Sequence, residues 1–269
     1  MNTGFIGIGS MGGMLVRGLL RCGALKPANA YVANRSPQKL ASLIAEFPGL
    51  HVGGARELTA HCDLIFLCVK SGDVPSVLAQ IETELYPGQL LVTTASVISL
   101  KALEDRVPCR VAKLIPSITQ DISAGVALLM YGSRITQEDR TLLEELLGQI
   151  SHPVVIAESQ ARPAVSLTSG APALIAYFLQ SMAEEAVRNN PSISPEMARE
   201  MIQETAISTL RLMQEKQMSA EGLIRRVAVP GGMTALSIEI LQRHLPQAWQ
   251  AIFRETTERE AKDREVLTL

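Results

Sequence analysis

Gly7-Ile8-Gly9-Ser10-Met11-Gly12 spells GxGxxG near the start of the chain. An apolar run, Thr3–Ile8, precedes it, and Met11, Met14, Leu15 and Leu19 follow at helical spacing from Ser10 to Cys22. In a strand–turn–helix setting each glycine has its own task. Gly7 permits the tight turn, Gly9 leaves bare backbone for a pyrophosphate, and Gly12 lets the helix pack against the strand. The helix N-terminus at Ser10 and Met11 then offers free N–H groups to the anion. The spacing therefore predicts a dinucleotide phosphate site; a purely structural glycine turn is the plain alternative.

The end of the second apolar run bears on which dinucleotide. NAD sites place an Asp or Glu there for the ribose 2′-hydroxyl. Here the residues are Ala33-Asn34-Arg35-Ser36, with no acid. The planar fork of Arg35 suits a 2′-phosphate, and Asn34 and Ser36 can add hydrogen bonds, so the pattern favours NADP(H) over NAD(H). Val69 and Lys70, Ser96, and Pro116 each follow a further β-type run, at the sheet edge where open α/β folds bind ligands. Far downstream, Gly231-Gly232 precedes a helix expected near Thr234. A glycine pair at a helix start can hold a carboxylate through backbone N–H groups alone, and the Thr234 hydroxyl can cap that helix.

These residues need elements to position them. The first half alternates short apolar runs with helical patterns: Thr3–Ile8, Ala30–Asn34, His51–Gly53, Asp63–Val69, Leu90–Thr94, Val111–Ile115, Val126–Met130 and Pro153–Ile156 read as strands, with helices at Ser10–Cys22, Pro37–Glu46 and Gln137–Ile150. That alternation predicts an α/β fold, an N-terminal Rossmann doubly wound parallel sheet. From about Pro163 the pattern is helical throughout, with helices expected at Pro172–Asn189, Ser194–Glu215, Ser219–Arg225, Thr234–Arg243 and Leu245–Leu267. The expected organisation is residues 1–160 as the NADP-binding domain and 161–269 as a C-terminal all-helical dimerisation and substrate domain. So much apolar helix in so little chain points to completion by a second copy: a homodimer, or a larger assembly of dimers.

Composition excludes several classes. Lys plus Arg is 25 and Asp plus Glu 27, a net charge of −2, which gives no basic field for nucleic acid. The apolar stretch Ala171–Leu179 is too short to span a bilayer, and no secretory leader pattern is visible, so no membrane partner and a cytoplasmic location are expected. Cys22, Cys62, Cys68 and Cys109 form no CxxC pair and read as free thiols, with Cys22, Cys68 and Cys109 in apolar settings. The four histidines lack ligand spacing, and no metal is expected.

Four segments resemble the pyrroline-5-carboxylate reductase family. They are Gly4–Gly12, Asp63–Lys70, Lys113–Thr119 and Val229-Pro230-Gly231-Gly232-Met233-Thr234, the last similar to its S-P-G-G-T-T signature; Leu167–Ala173 is similar to L-S-G-S-G-P-A. The resemblance implies hydride transfer from NAD(P)H to the C=N carbon of a cyclic imino acid, giving proline. It implies that Gly231, Gly232, Thr234 and the residue at Val229 bind the substrate carboxylate. It places Thr234 beside the ring nitrogen as the catalytic candidate, and Ser117 beside the nicotinamide. Val229 stands where the family has Ser, Ser117 where it has Asn, and Thr119 where it has a second Pro. These departures are similar to the late-competence, ComER-type branch, which implies the alternative of a regulatory protein that binds NADP with little or no turnover. A β-hydroxyacid dehydrogenase would need a lysine early in the second domain, and none occurs between Leu114 and Glu215.

Overall fold

The computed structural model describes residues 1–267. The chain forms two compact units, one running from Met1 to Ala171 and including the chain from Thr257 onward, the other Pro172–Thr256. The division is therefore not a single point between residues 160 and 161.

In the first unit the chain runs β1 (Thr3–Ile6), α1 (Ser10–Arg21), β2 (Ala30–Ala33), α2 (Gln38–Glu46), β3 (His51–Val52), α3 (Ala55–His61), β4 (Leu64–Leu67), α4 (Val74–Ile81), β5 (Leu90–Thr93), α5 (Leu100–Arg106), β6 (Arg110–Ile115), β7 (Val126–Tyr131), α6 (Gln137–Gly148), β8 (His152–Val155) and α7 (Ala161–Leu167). The sheet order is β3-β2-β1-β4-β5-β6-β7-β8. The first six strands are parallel in Rossmann order. The register sets Ile6 opposite Ala33 and Leu67, Leu67 opposite Thr93, and Thr93 opposite Lys113. Their C-terminal ends are therefore level and form one edge.

The parallel sheet expected from sequence is present, with one addition: β7 is antiparallel to β6, and β8 follows β7. The connection between β6 and β7 holds only a 3-10 turn, Ile118–Ile122. That is too short for a helical crossover, so the chain must return in the opposite sense. The crossovers between β3 and β6 contain α3, α4 and α5, which sequence periodicity left unassigned; each has at most eight residues.

Both faces of the sheet are covered. On one lie Phe5, Leu15, Val16, Leu19, Phe66 and Leu143, and on the other Ile65, Leu67, Leu78, Leu91, Leu103 and Val111. Phe5 and Phe66 stack 5.0 Å apart across β1 and β4. Leu64, Ile65, Phe66 and Leu67 are all fully buried, as expected of a strand in a doubly covered sheet. Cys62, Cys68 and Cys109 are buried free thiols. Cys22, expected in an apolar setting, is exposed at the C-terminal cap of α1, where the chain leaves the helix.

The second unit holds α8 (Ala171–Asn189), α9 (Pro195–Glu215), α10 (Ala220–Val227) and most of α11 (Met233–Val266). Ser194 and Ser219 cap α9 and α10, accepting from Met197 N and Gly222 N. The two last expected helices are one. Pro246 sits inside α11, where a proline removes one backbone bond yet leaves helix on either side. Only Ala183 and Ala198 are buried among the described residues of this unit, while Ile175, Tyr177, Met182 and Leu210 are each more than half exposed. Among the described residues no helix is long and apolar enough to cross a membrane.

Candidate functional site: a dinucleotide cleft and a glycine turn

The β1–α1 turn has a shape that only glycine allows. Gly7 has φ +98°, and a Cβ there would lie 2.6 Å from the Cys68 carbonyl oxygen. A Cβ on Gly12 would lie 2.0 Å from the Gly7 carbonyl oxygen and 2.8 Å from Cys68 Cβ. Gly9 differs: nothing lies within 4 Å of its Cβ position. Its space is open on the ligand side, and Gly9 precedes α1 without any side-chain cap. No acidic residue occupies the first turn of α1, so the N–H groups of Ser10, Met11 and Gly12 face that space with an unopposed helix dipole. By shape and by helix dipole the turn could hold a diphosphate, and the residues present fit a dinucleotide.

The turn is held from the side. Gly7 N donates to Ala33 O at 2.8 Å, and Ile8 N donates to Asn34 Oδ1 at 2.9 Å. Asn34 Nδ2 donates in turn to Ser36 O. Asn34, expected to hydrogen-bond the ribose phosphate, thus clamps two loops together instead of reaching outward. Arg35 is free to do so. Its side chain is 91% exposed, and Asp73 lies 3.9 Å away.

The other expected cofactor residues fall along the same edge. Val69 and Lys70 follow β4, Ser96 follows β5, and Pro116 and Ser117 follow β6. From β2 to β6 is four strand intervals, about 19 Å, room for two nucleotides laid end to end. Lys70 is exposed; Ser117 is buried, and its Oγ accepts from Thr119 Oγ1 at 3.0 Å. The backbone of Cys68 lies against Gly7 and its Cβ against Gly12, and burial raises its thiol to about 12, so the group is neutral.

One arrangement was not legible beforehand. Lys113, on β6, is fully buried, and its ammonium donates to Glu158 Oε1 at 2.5 Å and to Ser96 O at 3.1 Å. Glu158 Oε1 also accepts from Leu100 N at 3.1 Å. Burial pulls the lysine below its ordinary pKa, and the Glu158 carboxylate offsets part of that. Glu260 and Arg264, near the end of α11, also act on it; Glu260 bonds both Arg264 and Arg162. A lysine inside the apolar run Arg110–Ile115 was the one available signal. Its partner lies 45 residues away.

Val229, Gly231, Gly232 and Thr234 lie in the other compact unit. Gly232 N donates to Val229 O at 3.0 Å, with Pro230 and Gly231 between them and Gly231 at φ +75°. Pro then left-handed Gly at the two central positions is the pattern of a type II turn. Helix α11 starts at Met233, one residue earlier than expected. Thr234 is therefore inside the first turn and Gly232 takes the capping position, so Thr234 is not the cap. Val229 and Thr234 are both exposed.

Residues 2–96 match the family model described as NADP oxidoreductase coenzyme F420-dependent, and residues 158–263 match pyrroline-5-carboxylate reductase dimerisation. Pyrroline-5-carboxylate reductase 3 of Bacillus subtilis is 30% identical over 254 residues, covering 94% of this chain and 93% of the relative. The chain belongs to the pyrroline-5-carboxylate reductase family. Within that family it is also 30% identical to ComE operon protein 4 of Bacillus subtilis over 257 residues, covering 95% of this chain and 94% of the relative. The fold is that of family structures. A pyrroline-5-carboxylate reductase from Coxiella burnetii superposes with TM-score 0.84 at 22% identity, covering 100% of this chain and 98% of that one. A Plasmodium falciparum pyrroline carboxylate reductase with NADP bound superposes with TM-score 0.83 at 19% identity, covering 100% and 98%.

Proposed function

We propose that this family member is an NADPH-dependent reductase acting on the C=N bond of 1-pyrroline-5-carboxylate or a related cyclic imino acid, giving L-proline or its counterpart. The nicotinamide cofactor, when bound, supplies the hydride. The observation that carries the reading is the cradle, where Gly7 and Gly12 admit no side chain and Gly9 leaves open space under an uncapped helix. Arg35, exposed and set where an acid would select NAD, supports NADP(H). The relative solved with NADP bound supports the same choice. Val69, Lys70, Ser96, Pro116 and Ser117 wall the nicotinamide end. The Gly231–Gly232 turn and the open N–H groups at the start of α11 suit a carboxylate, and Thr234 offers a hydroxyl beside them. The bare apolar faces of the second unit, with a groove of about 700 Å³ between α8 and α9, support a homodimer. Four free cysteines support a reducing, cytoplasmic setting.

A second reading has its own support. Val229 offers no hydroxyl at the turn, Ser117 is turned to Thr119, and identity to ComE operon protein 4 equals that to the reductase. On that reading the protein binds NADP and turns over little. Mixing purified protein with NADPH and pyrroline-5-carboxylate while following reduced-cofactor absorbance separates them. Steady loss of NADPH, with proline formed, supports the reductase. Saturable NADPH binding with no turnover across a panel of cyclic imines supports the regulatory reading.

A further inference from the structure

We infer that Lys113 and Glu158 are a positioning pair that sets the loop between β5 and α5 against the nicotinamide end of the cleft. This rests on the proposed cofactor reading, in which Ser96 of that loop walls the nicotinamide. Only one partner is fully enclosed, Lys113, while the Glu158 side chain is 26% exposed; desolvating the ammonium offsets much of the attraction, so such a pair is a poor stabiliser. The geometry here serves a different end. Each partner makes a further bond, and both bonds go to the backbone of one loop. Lys113 Nζ donates to Ser96 O near the loop's start, and Glu158 Oε1 accepts from Leu100 N at its end.

The loop is tied between those points as well. Ala95 N donates to Thr93 Oγ1 at 3.1 Å, and Ser99 Oγ accepts from Ala102 N as the cap of α5. The charged pair reaches both ends of the loop, at Ser96 O and Leu100 N. Lys113 is fully buried on β6, in register with Thr93 of β5. Glu158 opens the 3-10 turn after β8. The ammonium and carboxylate thus fix three segments at one node: the β5–α5 loop, the strand whose end carries Pro116 and Ser117, and the turn leading into α7. Charged hydrogen bonds are directional, so the node holds the wall to a geometry that an apolar contact would leave loose.

The test compares two ligands on the full-length protein. NADPH reaches the nicotinamide wall; 2′-phosphoadenosine diphosphoribose has the same phosphates and lacks the nicotinamide. Variants are K113M, K113R and the double variant K113M/E158Q, which leaves neither charge unpaired and so guards against misfolding. K113M and the double variant are expected to weaken NADPH about tenfold, by loss of one charged contact's worth of order, and to hold 2′-phosphoadenosine diphosphoribose near wild type. Turnover is expected to fall about 100-fold in kcat with little change in imine KM, as a misplaced wall costs orientation, and K113R should recover most of it. Equal weakening of both ligands, or a double variant indistinguishable from wild type, overturns the inference. Wild-type protein that binds neither ligand overturns the cofactor reading beneath it, a distinct outcome.

Discussion

The two compact units solve burial in opposite ways. The first encloses its apolar residues on both faces of one sheet, with Phe5, Leu15, Leu64, Ile65, Phe66 and Leu67 fully buried. The second buries Ala183 and Ala198 among its described residues and leaves Ile175, Tyr177, Met182 and Leu210 in solvent. Helices of that kind gain stability by laying an apolar face on something else, and an isolated helix is marginal in water. The contrast teaches that the first unit closes its own core around the sheet, whereas the helical unit leaves apolar side chains bare, a surface that the family's dimerisation match supports as a site for another copy.

The strongest way to break that contrast is to charge the bare faces. Ile175→Lys with Leu210→Lys should cost the assembly at least about 3 kcal/mol, roughly 150-fold in the dissociation constant. Sedimentation at micromolar concentration should show wild-type dimer and variant monomer. A wild-type monomer would show that the helical unit stands alone after all. Next comes the cradle. Gly12→Ala forces a methyl onto the Gly7 carbonyl, so the first unit should lose about 2 kcal/mol in denaturant melts as well as NADPH binding. Gly9→Ala meets nothing in the fold, so stability should hold while NADPH affinity drops at least about tenfold. NADPH affinity unchanged in Gly9→Ala would mean that the open space at Gly9 is not for ligand.

A smaller effect is expected at Arg35. Arg35→Ala should leave the melt unchanged and weaken NADPH by about 2 kcal/mol, the usual worth of a charge-assisted contact, with NADH binding unaltered in calorimetry. Thiol by thiol, a smaller effect still is expected at alkaline pH. Burial raises the Cys62 and Cys68 thiols to about 12 and Cys109 to about 11, from an ordinary 9.0. The folded form keeps protons that the unfolded chain releases, so stability is full below pH 9 and falls as pH rises from 9 toward 11–12. The loss should be about 1 kcal/mol per thiol at pH 10. Urea melts at pH 8 and pH 10 check it, and a flat profile would argue against buried thiols. A thiol reagent on native protein should meanwhile label Cys22 first.

The glycines at 7, 9 and 12 were legible because each is read within a few residues of its strand and helix. The strand ends carrying Val69, Ser96 and Pro116 were legible for the same reason: continuous apolar runs mark buried strands. What could not be read were distances across the fold. The Lys113–Glu158 pair joins residues far apart in the chain, and Asn34 looked like a ligand donor because nothing local shows Ile8 N beside it. Short helices α3, α4 and α5 gave too few turns for a period to emerge. Pro246 misled for a different reason, since a proline marks a helix end locally while the helix around it persists.

All of this turns on whether bare backbone after β1 holds a diphosphate. Isothermal titration of the wild-type protein with NADPH, NADP and NADH tests it most directly. Saturable binding at one site per chain, tighter for NADPH than for NADH, is the predicted result. Flat traces with all three would contradict the account, leaving only the fold.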